Sequence, residues 1–204
     1  MAKKPKILAF TGSLREHSYN KRVLKTAIEG AVNAGAEVTF LDLRDYPMPI
    51  YNEDEHKKIG FDANALRFQE ILSEHDGLLI ASPEYNGSLP GGLKNAIDWA
   101  SRSSEKFKMG EAFRGKAAAI ITTSPGGFGG IRCLLHLRSI LSILGINVLP
   151  SEIAVSFVGK LFEGDSEKMI DEKMKNLLED LGTALADMVK KTHGDIEVVS
   201  DTSS

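Results

Sequence analysis

The chain has 204 residues, 42% of them apolar and 26% charged, which is enough for one sizeable hydrophobic core and short for two. Its 25 basic and 28 acidic side chains leave a net charge of −3, without the strong basic bias that a nucleic-acid partner would favour. The one cysteine, Cys133, rules out an intrachain disulfide and fits a reducing compartment.

The first apolar run, Ile7 to Phe10, follows a basic start and is too short for a signal-peptide core. No run approaches the roughly 20 apolar residues of a membrane helix. A cytoplasmic protein without membrane or nucleic-acid partners is expected.

Five apolar stretches predict buried strands: Lys6–Thr11, Val38–Leu43, Gly77–Ser82, Ala117–Thr123 and Ile146–Val155, the last interrupted by Pro150. Most lack polar alternation, the habit of parallel strands covered on both faces. Helical periodicity falls between them, over Ser18–Ala34, Asp62–Ser73, Pro90–Ala100, Gly130–Leu144 and Glu167–Lys190. Strict β–α alternation predicts a doubly wound α/β fold. It has a five-stranded parallel sheet in the order 2-1-3-4-5, with helices on both faces. One domain is expected over residues 1–193, and the polar, acidic stretch 194–204 reads as a frayed tail.

In such a fold ligands sit outside the carboxyl ends of the strands. The loop after strand 1 offers Thr11, Ser13, Ser18 and Asn20 as hydrogen-bonding side chains and Arg15 as a fixed positive charge. Ser18 can cap the next helix, whose first amides favour a phosphate. Read alone, this loop is equally a serine-rich turn with an ordinary cap. It has neither the GxxxxGK[ST] nor the GxGxxG pattern, which weakens nucleotide triphosphatase and Rossmann readings. After strand 3, Tyr85 offers an aromatic surface and Asn86 an amide, on a loop shaped by Pro83 and Gly87. The alternative is a plain turn whose Tyr85 covers the core. After strand 4, residues 126–130 hold four glycines, which let the backbone approach a ligand or act as a hinge.

Together these segments resemble the NADPH-dependent FMN reductase family, with its flavodoxin-like fold. The phosphate-loop motif reads Gly12-Ser13-Leu14-Arg15-Glu16-His17-Ser18-Tyr19-Asn20, and the second motif runs from Pro83 to Ser88, followed by Lys94, Asp98 and Trp99. The glycine-rich loop matches more loosely. The resemblance spans about residues 5–190. It implies FMN as cofactor, NADPH or NADH as electron donor, and a small acceptor such as a quinone, azo dye, chromate or free flavin. By motif, Ser13, Arg15, Ser18 and Asn20, with Tyr19 among them, hold the FMN phosphate and its surroundings. Pro83, Glu84, Tyr85, Asn86 and Gly87 line the isoalloxazine, and Ser124, Gly126 and Gly127 close its other edge. No side chain is assigned as a general acid or base. The competing reading is a flavodoxin-type electron carrier without direct NAD(P)H oxidation.

The five histidines form neither an HExxH pair nor a Cys/His cluster, so no metal is expected. Cys133 reads as a buried structural thiol. In the fourth helix Ile131, Leu134, Leu135, Leu137, Ile140, Leu141, Ile143 and Leu144 cover more than one stripe. This pattern points to a homodimer or homotetramer, as the resemblance also implies, or to a covering loop. Lys94 and Asp98 stand one helical turn apart and can pair. The long loops 44–60 and 101–115 are read either as walls of an acceptor pocket or as surface loops.

Overall fold

The computed structural model describes residues 4–193. The expected tail at 194–204 lies outside them. Four full strands are β1 (Lys6–Thr11), β2 (Glu37–Leu41), β3 (Gly77–Pro83) and β4 (Ala117–Thr123), joined by the short β5 (Asn147–Val148) and β6 (Ile153–Val155). The helices are α1 (Tyr19–Asn33), α2 (Glu53–Ile59), α3 (Ala63–Ser73), α4 (Gly91–Ala100), α5 (Ile131–Ile143) and α6 (Glu172–His193). All strand pairs are parallel and the order is β2-β1-β3-β4-β5, with β6 also on β4.

Alternate side chains of the central strands feed two cores. Ile7, Ala9, Leu79, Ala81, Ala119 and Ile121 pack under α1 and α6, through Val23, Leu24, Leu181 and Leu185. Leu8, Phe10, Leu78, Ile80, Ala118 and Ile120 pack under α3, α4 and α5, through Phe68, Leu93, Leu134 and Leu137. Both faces of each central strand are therefore apolar, which explains the unbroken hydrophobic runs.

Helices α1 and α6 cross with almost no side chain between them. A Cβ added at Gly30 would stand 1.9 Å from the Glu179 carbonyl oxygen, and one at Gly182 would stand 1.9 Å from that of Ala27. Only glycine permits this contact, which seats the second half of α1, from Ala27 to Ala31, against α6.

Several boundaries differ from the sequence expectation. The fifth strand is two pieces: β5 pairs with Ala117 and Ala118, and β6 with Ile121 to Thr123. Pro150 cannot donate to the ladder. Beside the break, Arg138 donates from Nη2 to the Leu149 oxygen at 2.6 Å. Strand β2 stops at Leu41, because Asp42 accepts the Arg44 amide and starts a short 3-10 turn over Leu43–Asp45. Helix α6 begins five residues late, where the Asp171 carboxylate accepts the Met174 amide at 2.9 Å as an N-terminal cap. The loop 44–60 contains α2, capped by Asn52, with none of its residues buried.

Candidate functional site

The carboxyl ends of β1, β3 and β4 bring three loops together. The first leaves β1 at Thr11, whose hydroxyl accepts the Ser13 amide at 3.0 Å and turns the chain away from the sheet. Ser18 caps α1, accepting the Asn20 amide at 3.2 Å on its Oγ, and its own hydroxyl hydrogen stays available. The amides of Glu16, His17 and Ser18 donate to no acceptor among the described residues. Ser13, Ser18 and Asn20 are buried, while Arg15 is exposed. The loop thus offers free amides, two hydroxyls, a guanidinium and the positive end of α1, a donor set suited to a phosphate.

The second loop is a tight hairpin. Asn86 and Gly87 both have positive φ, 51° and 79°. Tyr85 and Ser88 exchange backbone hydrogen bonds of 2.9 and 3.1 Å across them. Two left-handed residues in succession define a type I′ turn, and Asn-Gly is its preferred pair. The turn holds Tyr85 half-exposed at its base.

Glu84, on the same loop, ties it to α5. Its Oε2 accepts the amides of Arg132 at 3.0 Å and Cys133 at 3.2 Å, and its Oε1 accepts Nε and Nη2 of Arg132 at 2.9 and 2.6 Å. Helix α5 starts at Gly130, which has no side chain to cap it, so Glu84 supplies the missing cap from another loop. Burial alone would raise this carboxyl, but the hydrogen bonds from Arg132 and the Cys133 amide outweigh it and hold it below the usual carboxylate range.

The third loop splits its glycines between two uses. Gly129 is pressed against the backbone of Ala154 and Ser156, and Gly130 against Thr122. Gly126 and Gly127 remain exposed. The segment after β6 doubles back on this loop: Phe157 N donates to the Gly126 oxygen at 3.2 Å and Val158 N to that of Ser124 at 3.3 Å.

A narrow cleft of about 130 Å³ lies where these loops meet. Of the residues expected from the sequence, Ser13, Arg15, Ser18, Tyr19, Asn20, Pro83, Glu84, Tyr85 and Ser124 line it. Asn86, Gly87, Gly126 and Gly127 do not line it and continue the same loops beyond it. Thr123, Pro125 and Val158 also line it and were missed. Val158 arrives through a contact some 30 residues along the chain, for which no local motif exists.

A larger cleft of about 590 Å³ adjoins the same phosphate loop. Its charges are mostly spent on one another, in the pairs Lys21–Asp42, Arg44–Asp42 and Lys25–Glu167. Burial opposes ionisation of Asp42, yet its bonds to Arg44 and Lys21 hold that carboxyl far below the ordinary range. Loop 44–60 walls a separate apolar pocket, with Tyr46, Pro47 and Met48 facing Leu14. It is pinned to α4 where Trp99 Nε1 donates to the Pro49 oxygen at 2.7 Å. Loop 101–115 instead buries Ala112 and Phe113 in the core. Among the described residues, no group of three or more His, Cys, Asp or Glu side chains is placed to hold a metal ion.

Known proteins share this organisation. Residues 5–160 match the NADPH-dependent FMN reductase family. An NAD(P)H-dependent FMN reductase of Pseudomonas aeruginosa is 39% identical, covering 93% of this chain and 97% of that protein. A quinone reductase of Escherichia coli is 34% identical over 94% and 98% of the two chains. The solved structure of FerB, a flavoenzyme NAD(P)H:(acceptor) oxidoreductase of Paracoccus denitrificans, superimposes with a TM-score of 0.78 at 29% identity. It covers 94% of this chain and 100% of that one. With the sheet order, the phosphate loop and the Asn-Gly hairpin already in place, the chain belongs to the NADPH-dependent FMN reductase family.

Proposed function

We propose that the protein binds FMN in the cleft between its three loops and uses it to reduce a quinone-type acceptor with NADPH or NADH. The observation that carries this reading is Asn20. Its residue is 5% exposed, yet its carboxamide oxygen is buried without a hydrogen-bond donor. An orphaned acceptor of this kind is costly unless a ligand satisfies it. It stands beside the phosphate-type donors of Ser13, Ser18 and the α1 terminus, and a ribityl hydroxyl is the donor that a flavin mononucleotide would bring. The residues present therefore fit the cofactor.

The roles follow from chemistry. Ser13, Ser18, Arg15 and the α1 amides bind the phosphate. Asn20, with Tyr19 beside it, receives the ribityl chain. A cleft of about 130 Å³ cannot enclose a whole flavin. The ring system would lie across its mouth, against Pro83, Tyr85 and the Asn86–Gly87 turn, with Ser124, Gly126 and Gly127 along the other edge. Exposed amides at that edge favour negative charge on a reduced ring. FMN held there would supply the redox chemistry, a two-electron exchange between a nicotinamide and a quinone whose two protons come with the hydride and from solvent, while the chain's own residues bind and orient it. Glu84 holds the loop in place from behind and is not assigned to proton transfer.

We further propose one cytoplasmic domain over residues 1–193 that assembles as a homodimer or homotetramer. No helix among the described residues is long and apolar enough to cross a membrane. The described part of α5 divides its apolar residues: Leu134, Leu137 and Leu141 enter the core, while Ile131, Leu135 and Ile143 stay exposed. Sedimentation analysis tests the assembly.

The function is tested by mixing FMN-loaded protein anaerobically with NADPH, and separately with NADH, in a stopped-flow spectrometer. Rapid bleaching of the flavin band, then reoxidation by a quinone, is expected. Tight FMN binding without bleaching by either donor would assign an electron carrier instead.

A further inference from the structure

Phe157 is held in a conformation that its side chain disfavours. Its backbone sits at φ 49°, ψ 35°, the left-handed region, where a bulky residue is an outlier and Gly or Asn would rest without strain. The backbone contacts that set this kink are indifferent to the side chain. Phe157 N donates to the Gly126 oxygen, and its own oxygen accepts the Lys160 amide at 2.9 Å. Burial does not offset the strain either, since Phe157 is 52% exposed. The kink throws the ring over the third loop: a Cβ added at Gly127 would come within 3.1 Å of its Cζ.

Two other exposed aromatic side chains stand on neighbouring loops. Tyr85 follows β3 and is 48% exposed, and Phe128 follows β4 and is 75% exposed. Tyr85 lines the cleft, and Phe157 lies next to Val158, which also lines it, on a segment hydrogen-bonded to the loop that carries Phe128. The ring's one charged neighbour, Lys160 Nζ at 5.5 Å from its centroid, is an exposed cation–π contact of the weak kind, and strained residues held with so little packing in return cluster at functional sites.

We propose that Phe157 is a specificity-determining contact of the acceptor site, its ring packing against the planar ring of a quinone. This rests on the function proposed above. The acceptor, not the nicotinamide, is the ligand most dependent on it. A quinone has little but its ring to be held by, whereas NADPH also has phosphates and an adenine to be held by. No bond forms or breaks at Phe157; it acts by contact alone.

The test compares F157G, which removes both ring and strain, with F157A, which removes only the ring, and F157W, which restores an aromatic face. The readouts are KM for menadione and for NADPH, the Kd of FMN, and the Kd of 2-naphthol, a redox-inert planar ring, measured on the FMN-loaded protein by perturbation of the flavin absorbance. Loss of the ring should raise the menadione KM and the naphthol Kd roughly three- to tenfold. The FMN Kd and NADPH KM should stay within about twofold, W should recover the affinity, and F157G should resist urea better than F157A. Unchanged menadione and naphthol affinities would overturn the proposal. So would a parallel loss of FMN affinity, which would make the ring a prop for the glycine loop. A fall in assembly mass would make it a subunit contact, and overturn it too. If the wild type were not reduced by NADPH, the proposed function would fail, while naphthol binding would still decide the role of Phe157.

Discussion

Removing the Glu84 carboxylate should loosen α5 and the loop after β3 together. In Glu84→Ala the amides of Arg132 and Cys133 lose their acceptor, and Gly130 has nothing to replace it. Loss of a helix cap costs about 0.5–2 kcal/mol. The Arg132 side chain is 61% exposed, so its ion pair with Glu84 adds at most about 1 kcal/mol. The total is about 0.5–3 kcal/mol. With a urea slope of about 2 kcal/mol/M, the unfolding midpoint of the FMN-free protein falls by about 0.25–1.5 M. Glu84→Gln keeps one acceptor oxygen and should lose about half of that. The effect also has a pH signature. The folded state holds this carboxyl below its unfolded value of about 4.3, so its stabilisation is complete above that pH. It is lost as pH falls through the lower folded value. Wild type and Glu84→Gln should thus differ by a constant amount at pH 6–8 and converge in acid. Urea titration followed by circular dichroism reads all of this. A midpoint shift below about 0.2 M in Glu84→Ala, or a gap that widens in acid, would refute the capping role.

Two other substitutions probe the loop before α1 and the packing of α1 on α6. Arg15→Ala should weaken FMN about tenfold by removing a charge-assisted contact to phosphate, leaving riboflavin affinity unchanged; fluorescence titration of both flavins measures it. Gly182→Ala forces a methyl group toward the Ala27 oxygen at a separation no packed atoms tolerate, so α1 and α6 must part. It should cost about 2 kcal/mol or more in urea unfolding, and a neutral result would refute the tight crossing.

Much of this architecture is legible in the residues because the central strands are apolar on both faces and bounded by turn formers. β1 and β4 begin and end where their hydrophobic runs do. Helix α2 escapes that reading because none of its residues is buried, leaving no apolar period to find. Its Asn52 cap, acidic first turn and basic last turn are nevertheless written in the chain. The site divides in the same way. Ser13, Ser18, Asn20 and Tyr85 sit on loops whose chemistry is local and motif-like. Glu84 belongs to the same motif, but its carboxylate serves a helix some 48 residues away, a use that only the folded chain reveals. Phe157 and Val158 reach the site through pairing between distant segments, and the kink at Phe157 has no counterpart in composition or spacing.

The glycine crossing of α1 and α6 also bears on how the protein is made. The phosphate loop is complete within the first 20 residues, but the helix behind it is seated against an element that begins at Glu172. During synthesis the ribosome releases every other strand and helix before α6 can dock. A chain part-way through synthesis thus carries the loop motif before the helix behind it is seated, and that packing is completed by a helix that adds no residue to the cleft lining.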